Sequence, residues 1–318
     1  MEQIVLLLMN GGDASVLNPL HKNTLDVRCP GKGGKIWPEM AVVKSLLQDD
    51  DNSASVGEAC NGENKACMTV EEFDALPAPR VLKTHAPREI FLGDSKGEDS
   101  LEPMNKGNIS MVKGPRVIYV SRNPFDACVS CYYHPKPGIS PASTGCPFDA
   151  FAKLWLSDRI EFGGWSNHVN GWRKEYLKSK KMWTASEDGT KQQILWTSFE
   201  ELITYPRTTI LKVADFLGID YCNDNNPDNL VERVMVGCKF DNVKKAANSL
   251  LSSGVNGDSA HLRKGIIGDW KNHFTDKFRS EFESELRRNL SKGLNLSFDI
   301  GDGEVWSCAE EPLSVSPQ

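Results

Sequence analysis

"RVIYVSRNPFDACVSCYYH", residues 116–134, divides at Arg122 into two local structures. Val117, Ile118, Tyr119 and Val120 form a short apolar, β-branched run, the pattern of a buried strand. Asn123 then supplies an N-cap and Pro124 a first-turn proline, so a helix begins at once. A helix start gathers unpaired N–H groups at the positive end of the dipole, and an arginine at the junction adds a guanidinium. The junction therefore reads as a phosphate site, with the hydroxyl of Ser130 two turns further on. Taken alone, the same pattern also describes a capped helix with an exposed arginine.

The 318 residues are enough to bury a full core, and 39% hydrophobic with 25% charged residues is ordinary for a globular protein. The formal net charge of −6 argues against a broad nucleic-acid surface, so an anionic ligand must be met by a local cluster of cations. The run "IVLLLM" at 4–9 is too short to span a bilayer and lacks the basic flank of a signal peptide. Nine scattered cysteines suit a reducing, cytoplasmic compartment better than a disulfide framework. Cys128 and Cys131 lie inside the helix with no second pair, so no metal is implied.

Strand-like runs at 81–83, 117–121 and 193–197 are separated by helical patterns. Phe148, Phe151 and Trp155 share a helix face, as do Phe278, Phe282 and Leu286. A third helix opens at Pro206, carries Ile210, Val213, Ala214 and Leu217, and stops at Gly218. This alternation predicts a single α/β domain with a central, mainly parallel sheet flanked by helices. Its expected span is 1–302, with polar insertions near 48–68 and 93–110 and a disordered tail over 303–318. Ligands of such sheets bind beyond the carboxyl ends of strands, where Arg122 stands.

Two further segments bear chemistry. In "RKGIIGDWKNHF" (263–274), Arg263 and Lys264 precede Gly265, whose backbone can approach a phosphate closely; a basic surface turn is the plainer alternative. In "RVLKTHAP" (80–87), Lys83 and His85 point the same way by the strand period of two. A histidine there can take a proton from an acceptor while the lysine stabilises developing negative charge, although a lone histidine is more often structural.

Together the three segments resemble the cytosolic-type sulfotransferases that use 3′-phosphoadenosine 5′-phosphosulfate (PAPS). "YVSRNPFDACVSCYYH" is similar to their 3′-phosphate-binding strand–loop–helix, "RKGIIGDWKNHF" to their C-terminal cofactor signature, and "LKTHAP" to the segment with their catalytic histidine. "GGWSNHVNGW" (163–172), "SFEEL" (198–202) and "KVADFLGI" (212–219) echo the family more weakly. The resemblance implies a P-loop-nucleotide-kinase-like fold, with PAPS as cosubstrate, a small-molecule hydroxyl or amine acceptor, and no metal. It further implies that Arg122, Ser130, Arg263, Lys264 and Gly265 hold the 3′-phosphate, that Phe240 and Phe199 serve the adenine, that His85 is the general base and that Lys83 steadies the group in transfer.

The departures from the family pattern set further expectations. The 5′-phosphosulfate loop of the family precedes its first helix, whereas "MEQIVLLLMNGGD" is similar to that helix itself. The first strand and phosphate loop are thus expected to be missing and activity to be very low. "GKGGKIW" (31–37) keeps Lys32, Gly34 and Trp37 of the loop pattern, but has Lys35 and Ile36 where hydroxyls belong. Phe199 replaces a tyrosine, and Cys238–Lys239 precede Phe240 where Thr-Ser is usual. The family dimer motif keeps Lys271 and Thr275 but has Asp276 for valine, which weakens the expectation of a homodimer. A binding-only pseudoenzyme and, more remotely, a nucleotide kinase or hydrolase are the alternatives.

Overall fold

The computed structural model describes Ile4, Leu8 and residues 84–89, 116–134, 140–160, 163–185, 192–219, 221, 227–244 and 263–308. The chain forms two compact units, Met1–His85 with Ile210–Arg263 and Ala86–Thr209 with Lys264–Gln318.

In the second unit, β1 (Val117–Ser121) runs directly into α1 (Pro124–Tyr132). Asn123 caps the helix, its side chain accepting from the Asp126 N–H, as the sequence predicts. The chain then passes through α2 (Phe148–Leu156) and α3 (Trp165–Ala185) before β2 (Ile194–Ser198) returns parallel to β1. Val117 pairs with Ile194 and Ser121 with Ser198, so both strands end level. A parallel return requires a long crossover, and the intervening helices provide it. Beyond β2, Ser198 caps α4 (Phe199–Thr204), and α5 (Pro206–Leu217) follows. Each strand of the pair thus hands over to a helix start at the same end of the sheet. The strand expected at 81–83 lies outside the described residues.

The core of this unit is aromatic. Phe125 and Cys128 from α1, Phe151 and Trp155 from α2, and Phe278, Phe282 and Leu286 from α7 (Asp276–Asn289) are buried in one cluster. Phe282 sits 5.6 Å from Phe125, 5.0 Å from Phe274 and 5.8 Å from Trp155, ring centre to ring centre. Helical spacing in α2 and α7 supplies these rings on the faces the sequence predicts.

The tail expected from residue 303 is corrected at its start. Ser297–Gly301 (β3) and Glu304–Ser307 (β4) form an antiparallel hairpin, with Trp306 buried opposite Phe298. Its two-residue turn, Asp302–Gly303, holds φ of 57° and 78°, the left-handed pair that Asp-Gly favours. That dipeptide between alternating apolar residues was the legible signal. Gly301 backs against Gly268 so closely that a Cβ on Gly301 would stand 3.0 Å from the Gly268 Cα. Residues 309–318 lie outside the described residues.

In the first unit, α5 buries Ile210, Val213 and Ala214, and ends at Gly218 with φ 70°. Helix α6 (Pro227–Gly237) buries Leu230, Val231 and Val234. Ile4 and Leu8 are helical and buried, four residues apart on one face. No described helix is long and apolar enough to cross a membrane.

Phe282, 1% exposed amid four other rings, is the strictest test of this packing. Phe282→Ala should destabilise the protein by about 3–5 kcal/mol, read as a lower midpoint in urea unfolding.

Candidate functional site

At the end of β1 the backbone leaves the sheet for α1, and the site is built around that exit. Ser121 donates its hydroxyl to the Thr197 carbonyl at 3.0 Å, tying the two strand ends together. Trp165 Nε1 donates to the Arg122 carbonyl at 3.1 Å. With its backbone held, the Arg122 guanidinium lies over the Phe199 ring, 4.3 Å from the centroid. Arg122 Nη2 donates to the Ile266 carbonyl at 3.1 Å. The helix-start arginine and the 264–267 turn, apart in sequence, therefore meet, and Phe199 lies beneath the charge they share.

The turn has its own internal braces. Gly265 and Gly268 adopt φ of 69° and 88°, left-handed values open to glycine at no steric cost. Lys264 Nζ binds Asp269 Oδ1 at 2.5 Å, and that buried carboxylate also accepts from Asn272 Nδ2 at 3.0 Å. His273 Nε2 is 3.7 Å from its other oxygen. The ammonium of Lys264 thus has an ion-pair partner within the turn.

Two residues that sequence reasoning left out, Asp126 and Glu200, hold these parts together with Asn123. Asp126, buried at 1% exposure, accepts from Gly268 N at 2.8 Å and Asn123 Nδ2 at 2.9 Å through Oδ2, and from Trp270 N at 2.9 Å through Oδ1. Asn123 serves as the expected cap, and its N–H and side-chain amide also donate to Glu200 Oε1, each at 2.9 Å. Glu200 Oε2 is buried with no hydrogen-bond partner. Burial pushes the Glu200 carboxyl above its ordinary range, while the Asn123 hydrogen bonds and the Arg122 charge pull the other way and lose. A carboxylate three residues after an N-cap asparagine was the available signal for Asp126; for Glu200 there was only "SFEEL".

Of the remaining candidates, Ser130 lies half-buried on α1 and Arg263 half-buried just before the turn. In the first unit, His85 is exposed, and Phe240 is half-buried at the start of a helical segment, 5.7 Å from Lys244 Nζ. Lys83 and "GKGGKIW" lie outside the described residues. Cys128 is packed in the core, its thiol pushed well up by burial. Among the described residues no group of three or more His, Cys, Asp or Glu side chains is arranged to hold a metal ion.

A family model described as a sulfotransferase domain matches residues 103–293. Sulfotransferase 2B1 of Mus musculus is 28% identical over 276 residues, covering 85% of this chain and 72% of the relative. Sulfotransferase 1E1 of Homo sapiens is 27% identical over 250 residues, covering 73% and 70%. Among solved structures, the mouse sulfotransferase SULT7A1 complexed with PAP aligns with a TM-score of 0.50 at 23% identity, covering 70% of each chain. Retinol dehydratase in complex with retinol and PAP aligns at 0.53 and 18% identity, covering 92% of this chain and 77% of its own. These two likenesses establish the sulfotransferase fold.

Glu200 gives the site a pH signature. Its folded-state value is raised above about 4.5, so its contribution to stability is complete in acid and lost as pH rises through the raised value. Glu200→Gln keeps an oxygen acceptor for Asn123 and removes the titration. The stability of the variant relative to the parent should therefore increase from pH 4.5 toward neutrality, as read by unfolding at several pH values.

Proposed function

The chain belongs to the sulfotransferase family, and from that premise we propose that it transfers a sulfuryl group from PAPS to a hydroxyl or amine of a small acceptor. The observation that carries this reading is the meeting of Arg122 with the 264–267 turn at a helix start beyond a parallel strand pair. A guanidinium, a left-handed glycine and a helix N-terminus form a donor set suited to a doubly charged phosphate. Arg122 and the Gly265 backbone would hold the 3′-phosphate, aided by Ser130 and Arg263. Lys264, engaged by Asp269, would serve mainly to hold the turn. Phe199 supports Arg122 from below, and with Phe240 it would serve the adenine.

PAPS supplies the activated sulfuryl group when bound. His85 would accept the proton of the acceptor hydroxyl or amine as that atom attacks sulfur. The new bond to sulfur forms as the sulfur–oxygen bond to the 5′-phosphate breaks, and adenosine 3′,5′-bisphosphate (PAP) leaves. Lys83 would stabilise the spread negative charge. Positioning and cationic stabilisation dominate such transfers. Retinol, present in one structure of this fold, is a hydroxyl compound of the kind proposed as acceptor. The sulfotransferase match, over residues 103–293, runs through parts of both compact units, which supports a single domain. A cytoplasmic setting suits the thiols of Cys128, Cys146, Cys238 and Cys308.

Calorimetry with PAP, paired with a sulfuryl-transfer assay over a panel of phenols, alcohols and amines, tests the proposal. Binding with transfer supports it, binding without transfer reassigns the chain to nucleotide binding alone, and absence of binding overturns it. Arg122→Ala should weaken PAP binding by about 1.5–3 kcal/mol, the worth of a hydrogen bond to a charged group. His85→Asn should abolish transfer in the same assay while leaving PAP affinity within about threefold of the parent, since a general base contributes to the chemical step rather than to nucleotide binding.

A further inference from the structure

We infer that Asp126 is the positioning residue that sets the 3′-phosphate site, acting through the backbone of the 264–270 turn rather than by touching the ligand. The inference rests on the sulfotransferase reading above and extends it to a residue outside the phosphate-binding set.

Asp126 holds the distant turn directly. Its two oxygens accept the N–H groups of Gly268 and Trp270, the residues on either side of Asp269. Gly268 is left-handed and backs onto Gly301, so its N–H direction is fixed and little slack remains. Asp269, bracketed in this way, binds Lys264 and so closes the turn over Gly265 and Ile266. Ile266 in turn presents its carbonyl to Arg122. A continuous chain of contacts therefore leads from the Asp126 carboxylate to both halves of the phosphate cluster.

The other end of the chain is equally fixed. Asn123, which caps α1 with its side-chain oxygen, gives its side-chain N–H groups to Asp126 and Glu200. Its backbone N–H also goes to Glu200. Arg122 is the residue before it, so its backbone position follows from this clamp. Asp126 thus sits where the helix start and the distant turn are registered against each other. A neutral carboxamide in its place cannot accept all three N–H groups, because one of its two terminal atoms is itself a donor. The turn would then shift by a fraction of an ångström, which is enough to degrade recognition of a compact, doubly charged group.

The test compares two nucleotides that differ by the 3′-phosphate, PAP and adenosine 5′-monophosphate, on the same sample by calorimetry. For Asp126→Asn the preference for PAP should fall at least tenfold, with affinity for the monophosphate changed less than threefold. The binding stoichiometry reports the folded fraction, so a partly unfolded sample does not mimic the result. If Asp126→Asn yields no folded protein, Asn123→Ser carries the test. Serine keeps the cap acceptor but removes the side-chain amide whose two N–H groups reach Asp126 and Glu200 together, and the preference should fall several-fold. An unchanged preference in a folded variant, or an equal loss for both nucleotides, overturns the assignment while leaving the sulfotransferase reading intact. Failure of the parent chain to bind PAP overturns that reading and this assignment with it.

Discussion

A single buried carboxylate, that of Asp126, receives three N–H groups, one from Asn123 at the start of its own helix and two from the 268–270 turn, 142–144 residues away in sequence. An isolated carboxylate out of water is costly, and hydrogen bonds to its charged form remove that cost. It also sits in the first turn of α1, where the helix dipole favours negative charge. The same helical turn carries Phe125, fully buried and 5.1 Å from the Trp270 ring. Polar and apolar contacts from neighbouring residues therefore grip one partner, the 268–270 backbone and its tryptophan. Neither grip would hold the turn without the other, because the apolar contact has no direction and the polar one has little area.

Around that junction, charge is arranged in short-range pairs. Lys264 is matched by Asp269, and Lys271 by Asp302 and Glu304. Arg122 has a Phe199 ring below it and the Ile266 carbonyl in front. Phe199, where the family resemblance leads one to expect a tyrosine, keeps an aromatic face on which a guanidinium can lie. In a chain of net charge −6, any attraction for an anion has to come from such local geometry rather than from an overall field. Glu200, buried against the backbone of Asn123, gives the same corner a group whose ionisation opposes burial.

The hairpin at 297–307 shows how a signal is missed. Its Asp-Gly turn and the alternation Phe298, Ile300, Trp306 are plain in retrospect, yet charge and glycine near a chain end resemble a tail. What makes it structure is the burial of Trp306 and the seating of Gly301 on Gly268. The hairpin also receives Trp270 Nε1 at the Ile300 carbonyl, 2.8 Å away, so it buttresses the turn from outside. The Lys264–Asp269 pair is hidden in the sequence for a related reason. A lysine beside a glycine reads as a phosphate ligand until the acid five residues later is seen to fold back onto it.

The amino-acid sequence by itself determined the local elements. The run 117–121, the Asn123–Pro124 start, the aromatic stripes of α2 and α7 and the Gly218 stop are all present where periodicity and capping place them. These depend on backbone preference and on which face of one element is apolar, and both are written within a dozen residues. It also carried the family signature that joins Arg122 to the 263–274 segment. The tertiary structure alone decided which buried carboxylate receives which N–H, where the Lys264 ammonium goes and what the hairpin leans on. The Asp126 and hairpin contacts join segments far apart in the chain, and even the Lys264–Asp269 pair depends on how the turn is folded, so a local pattern does not disclose a partner until the fold has placed it.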